Sequence, residues 1–108
     1  MSIQLDTSPS FRPADVEALA AAVLEGPGET ASKLRQQLAA GVEVPDDLAG
    51  YADKVRRHAY KVIEEDLQAL RDSGYTENAI FEVTLSVALG AALRRLDSGL
   101  RALRGDRR

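Results

Sequence analysis

Apolar residues return every three or four positions along this chain, and no run alternates with the period of two that is typical of a strand. That spacing places apolar side chains on one face of an α-helix. The first such stretch begins at Pro13, a residue that suits the first turn of a helix, and it ends at the turn Gly26-Pro27-Gly28. Its apolar stripe consists of Val16, Leu19, Ala20, Val23 and Leu24.

A second helix is predicted between Thr30, a suitable N-cap, and Gly41, a suitable stop. Leu34 and Leu38 lie four residues apart and should face inward. Most of its other side chains are polar, which predicts a peripheral position for this helix. These polar residues are Lys33, Arg35, Gln36 and Gln37.

Two further helices are predicted in the middle of the chain. The third opens at Pro45 with two aspartates behind it, and the fourth opens near Glu64 with an acidic first turn and ends at Gly74. Leu67 and Leu70 should face inward, whereas Ile63 stands where a capping Ser or Thr would be expected, so that cap should be weak. The buried stripe of the third helix should consist of Leu48, Ala52, Val55, Ala59 and Val62.

The last predicted helix is capped by Thr76 and runs from about Glu77 to about Leu103. Its segment 79–93 is apolar on nearly every side, so it should be central or face a neighbouring subunit. Gly90 within that segment would let another helix approach closely. The apolar pattern then narrows to a stripe of Leu96, Leu100 and Leu103.

These elements predict an all-α fold, a bundle of about five helices in one domain of 108 residues. Residues 1–12 should form an extended lead-in, and residues 104–108 should fray. Aromatic residues make up only 5% of the chain, so Leu, Val, Ile and Ala must build the core, and self-association would help its stability.

The formal net charge of −3 predicts no general attraction to nucleic acid or to an anionic membrane. The charge is unevenly spread, because residues 94–108 hold six arginines against two aspartates, a net +4, which leaves −7 for the rest. The longest apolar stretch is shorter than a membrane span, and the N-terminus lacks the apolar core of a signal peptide. A cytoplasmic location, without a membrane and without nucleic acid as partner, is the expectation.

Several stretches, in order, resemble the C-terminal part of alkylhydroperoxidase-like (AhpD-like) domains of the carboxymuconolactone decarboxylase superfamily. The resemblance covers about half the chain, from Leu48 to Leu100, and rests on the order of its motifs. It implies an orthogonal bundle of helices that assembles as a homo-oligomer, a trimer or hexamer. The matching stretches are Tyr51 to Lys54, Glu64 to Asp66, Ala69 to Ile80 and Arg95 to Leu100.

The chain lacks the residues that carry out the chemistry of the peroxidases in that family. The peroxidases carry a Cys-x-x-Cys pair and proton-relay histidines upstream of this region, where residues 14–41 contain neither Cys nor His. A thiol peroxidase needs a thiolate and a resolving thiol, and this chain has no cysteine. Tyr51, Lys54 and His58 have Cys-x-x-Cys-x-x-x-His spacing, but they lie downstream of the family's element, so no redox role is carried onto them.

Two residues are candidate catalysts. His58 is the only histidine and could serve as a general base, although a partly buried, hydrogen-bonded histidine on a helix flank is the simpler interpretation. Glu82 is the only charged residue between Ala79 and Leu93, and apolar surroundings would raise the pKa of its carboxyl. A solvent-facing glutamate in the first turns of a helix is the simpler interpretation.

The candidate ligand-binding residues are Arg57, Arg95 and Tyr51, since paired arginines can grip a carboxylate or phosphate through two hydrogen bonds. The pairs are Arg56 with Arg57 and Arg94 with Arg95. Such pairs are also ordinary charges at helix ends. No metal site is expected, because the carboxylates at 64–66 are consecutive on a helix and diverge.

The leading hypothesis is therefore a cysteine-free AhpD-like module that forms a homo-oligomer and binds a small molecule or a protein partner, without a cofactor. The alternative is a cofactor-free acid/base enzyme of the carboxymuconolactone decarboxylase type, acting on a small carboxylic acid or lactone. A nucleic-acid accessory that uses the arginine-rich end is the third hypothesis.

Overall fold

The computed structural model describes residues 13–105, so the predicted lead-in 1–12 and the last three residues of the predicted frayed end lie outside the described part. Across that range the chain forms five α-helices and one short 3-10 turn, with no strand, and the predicted all-α class is confirmed. The helices are α1 Pro13–Glu25, α2 Ser32–Ala40, α3 Asp46–His58, α4 Glu64–Asp72 and α5 Glu77–Leu103, and the 3-10 turn is Ala59–Lys61.

Local signals set most helix ends where they were predicted. The helix α1 ends just before the Gly26-Pro27-Gly28 turn, and α2 ends at Gly41, whose φ of +76° lies in the left-handed region that glycine adopts without strain. At the start of α5, the Thr76 hydroxyl accepts a hydrogen bond of 3.0 Å from the Ala79 amide, so the predicted cap is confirmed.

The long helix α5 is central, and α2, α3 and α4 pack their apolar residues against it. The helix α1 adds no fully buried residue between positions 14 and 25. Aliphatic side chains and one alanine therefore form the core, as the low aromatic content predicted. The core residues are Leu38, Leu48, Ala52, Val55, Leu70, Ile80, Val83 and Val87.

The prediction that α2 is peripheral was wrong. Leu38 is 0% exposed, and Arg35 and Ala39 are buried beside it. The backbone of α2 lies directly against Gly90 of α5, since a Cβ on Gly90 would stand 2.1 Å from the carbonyl oxygen of Ala39. The missing side chain of Gly90 thus lets the two helices cross at close range, and a helix of this chain occupies the approach that Gly90 permits.

The third and fourth helices depart from prediction at their junction. The helix α3 ends at His58, so Ala59 falls in the 3-10 turn and is exposed, whereas Val62 still packs on the core. The cap of α4 is supplied from inside the helix, because the Asp66 carboxylate accepts a 2.8 Å hydrogen bond from the Ile63 amide. Lys54 holds the same carboxylate through two contacts of 3.0 Å.

One side of α5 is left uncovered. Its 27 residues span about 40 Å, whereas 13 residues, the longest of the other helices, span about 20 Å. No residue of α5 beyond Ala91 is buried. We define the exposed α5 face as Phe81, Leu85, Ala88, Ala92 and Leu103. No helix within residues 13–105 is long and apolar enough to cross a membrane.

Candidate functional site

The Glu82 carboxylate is partly buried and lies against the loop that joins α1 to α2. It accepts hydrogen bonds from the Thr30 hydroxyl at 2.6 Å, the Thr30 amide at 2.8 Å and the Glu29 amide at 2.9 Å. Desolvation works to raise the pKa of Glu82, but these three hydrogen bonds, helped by the charge of Arg35, lower the pKa below its usual value overall. Glu82 is therefore an ionised structural acceptor near neutral pH.

Thr30 was predicted to cap α2, and that prediction was wrong. The N-cap position belongs to Ala31, which has no side-chain acceptor, and the Thr30 hydroxyl points to Glu82 instead. The carboxylate of Glu82 binds loop amides just ahead of α2, from a different helix. Gly28 makes this contact possible, because a Cβ there would stand 2.8 Å from Oε2 of Glu82.

Arg35 ties the same loop to the end of α1. It is 4% exposed, and it donates to the carbonyls of Val23 at 2.7 Å, Gly26 at 2.6 Å and Thr30 at 3.3 Å. These carbonyls include orphan acceptors at a helix C-terminus, so the buried cation satisfies groups that would otherwise be unpaired. Arg35 and Glu82 together join three helices through one loop.

Beside this loop lies a cleft of about 340 Å³ between α1 and α5. Apolar side chains form most of its wall, and Arg35, Asn78 and Glu82 lie at its polar edge. We call it the apolar cleft. It suits an apolar side chain or a small apolar group, because the two charged residues at its edge are already hydrogen-bonded within the chain. Its apolar lining consists of Ala22, Val23, Pro27, Phe81 and Leu85.

His58 lies elsewhere, at the exposed C-terminal end of α3. Its ring meets Tyr60 edge to face, with centroids 6.0 Å apart. Among the described residues, neither a hydrogen bond nor an ion pair joins His58 to Glu82 or to another carboxylate. The two candidate catalysts therefore do not form a pair within one chain, and their catalytic role stays a prediction.

The three candidate ligand-binding residues do not converge. Arg57 is exposed and pairs with Asp53 at 2.9 Å. The Tyr51 hydroxyl donates to Oγ1 of Thr84 at 2.6 Å, since the Thr84 hydroxyl donates its own proton to a carbonyl of α5. Arg95 lines a cleft together with two other arginines.

That cleft measures about 330 Å³ and lies between α3 and the second half of α5. Its lining is Arg56, Ala91, Arg94, Arg95 and Ser98, and we call it the arginine cleft. The sequence predicts pairs of neighbouring arginines, whereas the fold places Arg56 of α3 beside Arg94 and Arg95 of α5. The i, i+3, i+4 and i+7 spacing of the four α5 residues, starting at Ala91, was the signal available in the sequence.

A third concave surface is acidic. Asp46, Asp47, Glu65 and Asp66 line it around Lys54. Burial, together with a 2.7 Å hydrogen bond to Asp47, raises the pKa of the neighbouring Tyr75 to about 12. Within residues 13–105 no group of three or more His, Asp or Glu side chains is arranged to hold a metal ion.

Comparison of this chain with protein-family models, with curated proteins and with solved structures finds no match. The AhpD-like resemblance therefore stays a prediction from sequence.

Proposed function

We propose that this chain is a cysteine-free AhpD-like helical module that works as a homo-oligomer and binds a small molecule or a protein partner, without thiol peroxidase activity. The observation that carries the proposal is the exposed α5 face. Phe81 is 65% exposed and Leu85 38%, although both lie on the central helix of the fold. Large exposed apolar side chains in a row are typical of an interaction surface.

The positions of these residues form one stripe. Phe81, Leu85, Ala88 and Ala92 follow each other at intervals of four, three and four, so they share one side of α5. At the N-terminal end of α5 the stripe continues into the apolar cleft, which Phe81 and Leu85 also line. Small residues in the middle of such a stripe allow two helices to approach closely.

A second copy of this chain is the partner that the charge distribution favours. The end of α5 belongs to a segment with a net charge of +4, whereas the rest of the chain carries −7. Asp46, Asp47, Glu65 and Asp66 form an acidic surface on the body of the same molecule. The basic end of one copy is therefore complementary to the acidic body of another. The AhpD-like resemblance leads us to propose a trimer or hexamer.

The state of Glu82 supports a module over an acid/base enzyme. A general acid or base works best with a pKa near the working pH, and the hydrogen bonds to the loop lower the pKa of Glu82 instead. His58 has no carboxylate partner within the described chain. We therefore favour a binding module over an acid/base enzyme.

Native mass spectrometry and light scattering on wild-type protein and on Phe81→Glu test the proposal. Burying the exposed 65% of Phe81 would contribute about 1–2 kcal/mol per protomer, and a carboxylate in its place would have to be desolvated. We expect an oligomer for the wild type and a monomer for Phe81→Glu, with the same helical circular dichroism. A reproducible extra mass on the wild-type oligomer would identify a bound small molecule.

Tyr60→Glu is the matched control, because Tyr60 is an aromatic residue that is 80% exposed and lies on the 3-10 turn, outside the exposed α5 face. It should leave the mass of the assembly unchanged. A monomeric wild type at tens of micromolar, or a Phe81→Glu variant with the wild-type mass, would overturn the proposal.

A further inference from the structure

The arginine cleft concentrates positive charge that is not compensated on its walls. Three guanidinium groups line it, those of Arg56, Arg94 and Arg95, and none of its lining residues is acidic. The carboxylate of Asp53 is 3.8 Å from Arg56, but it lies closer to Arg57, at 2.9 Å. Like charges held together repel each other, and an anion between them lowers that repulsion.

The backbone holds these arginines in place. Nη1 of Arg94 donates to the carbonyl of Ala39 at 2.7 Å, at the end of α2, and Nη2 of Arg95 donates to the carbonyl of Arg56 at 3.1 Å, near the end of α3. Each of these bonds uses one of the five N–H donors of a guanidinium group. The remaining donors are thus positioned before a ligand arrives, which lowers the entropy cost of binding.

Arg56 is fixed by packing. Its guanidinium lies over Gly41, where a Cβ would stand 3.4 Å from Nη2, and its Nε and Nη2 are buried without an acceptor among the described residues. The Arg56 side chain as a whole is 24% exposed, and a cation that lacks part of its hydrogen bonding gains from an anion placed next to it. Ser98, one turn beyond Arg94 and Arg95, adds a hydroxyl donor to the same wall.

We propose that the arginine cleft binds an oxyanion, the phosphate or carboxylate group of a small ligand. Planar guanidinium groups donate two parallel hydrogen bonds to such groups, and three of them match an anion with more than one charge. The inference goes beyond self-association, since Arg56, Arg94 and Ser98 lie off the exposed α5 face. It rests on the proposed function only in naming the class of small molecule bound.

Isothermal titration calorimetry tests the site, with inorganic phosphate and succinate as separate probes at constant ionic strength. Arg95→Gln removes one guanidinium and keeps a polar side chain that suits a helix. Losing a charge-assisted hydrogen bond should weaken binding by at least about tenfold. Arg101→Gln is the matched control, because Arg101 lies on the same helix, is exposed and pairs with Asp97 at 2.9 Å outside the cleft.

We expect saturable binding of at least one probe to the wild type and to Arg101→Gln, with weakened binding to Arg95→Gln and to Arg94→Gln. Tighter binding of phosphate would assign a phosphate group, and tighter binding of succinate a carboxylate. The site would be overturned if neither probe gave saturable binding to the wild type. It would also be overturned if Arg95→Gln and Arg101→Gln weakened binding equally. Binding by the Phe81→Glu variant separates this proposal from self-association, because the site needs only one chain.

Discussion

The crossing of α2 and α5 makes Gly90→Ala the sharpest test of the fold. An alanine Cβ would stand 2.1 Å from the carbonyl oxygen of Ala39 and 2.7 Å from its Cα. Unbonded heavy atoms pack at about 3.5–4 Å, so the two helices would have to separate by more than about 1 Å. Both obstructing atoms belong to backbone, and no change of side-chain rotamer can relieve the overlap.

The expected magnitude combines two opposing effects. Overpacking a core costs about 1–3 kcal/mol, and a rigid backbone contact calls for the upper end or more. Alanine in a helix interior is favoured over glycine by about 1 kcal/mol. We therefore expect Gly90→Ala to lower the free energy of unfolding by about 2 kcal/mol, which corresponds to a fall of about 10 °C in Tm for a domain of this size.

Urea unfolding followed by circular dichroism measures this difference, at several protein concentrations because self-association would stabilise the folded state. Gly50→Ala is the control, since Gly50 lies inside α3 and a Cβ there meets no atom within 4 Å. It should raise the stability by about 0.5–1 kcal/mol. If Gly90→Ala is as stable as the wild type, the close crossing of the helices is refuted.

Two titrating groups, Glu82 and Tyr75, should shape the pH dependence of the free energy of unfolding. Glu82→Gln should lower the stability by about 1–3 kcal/mol, since an amide NH₂ then faces a loop donor. Because folding lowers the pKa of Glu82, its contribution is present above its unfolded pKa of about 4.5 and is lost as the pH falls through the lower folded value. Urea midpoints between pH 6 and pH 3 should therefore fall less steeply in Glu82→Gln, and equal slopes would refute this. Folding raises the pKa of Tyr75 to about 12, so stability should decline as the pH rises from about 10 to about 12. Ultraviolet absorbance should show this late titration in the wild type but not in Tyr75→Phe.

Several helix ends were predictable from sequence because local chemistry determines them. Gly41 stops α2 by adopting a conformation that other residues rarely reach, and Thr76 caps α5 through its own hydroxyl. The start of α4 shows the limit of this reasoning. Ile63 cannot cap, and the acceptor comes from Asp66, whose pairing with Lys54 of α3 is not a local feature.

The burial of α2 was not predictable in the same way. Arg35 is typical of a surface residue in the sequence, and it can be buried because the carbonyls of Val23, Gly26 and Thr30 accept its hydrogen bonds. The arginine cleft escaped prediction for a related reason. The sequence shows arginine pairs only between neighbours in the chain, whereas the fold brings Arg56 of α3 to Arg94 and Arg95 of α5.

The helix α1 is packed less deeply than the other helices, and this affects how the native state opens. Since α1 buries no residue fully between positions 14 and 25, it should open at a lower free energy than the four helices that share the core. Its amides should exchange with solvent earliest. Each opening would remove one wall of the apolar cleft and widen the uncovered side of α5.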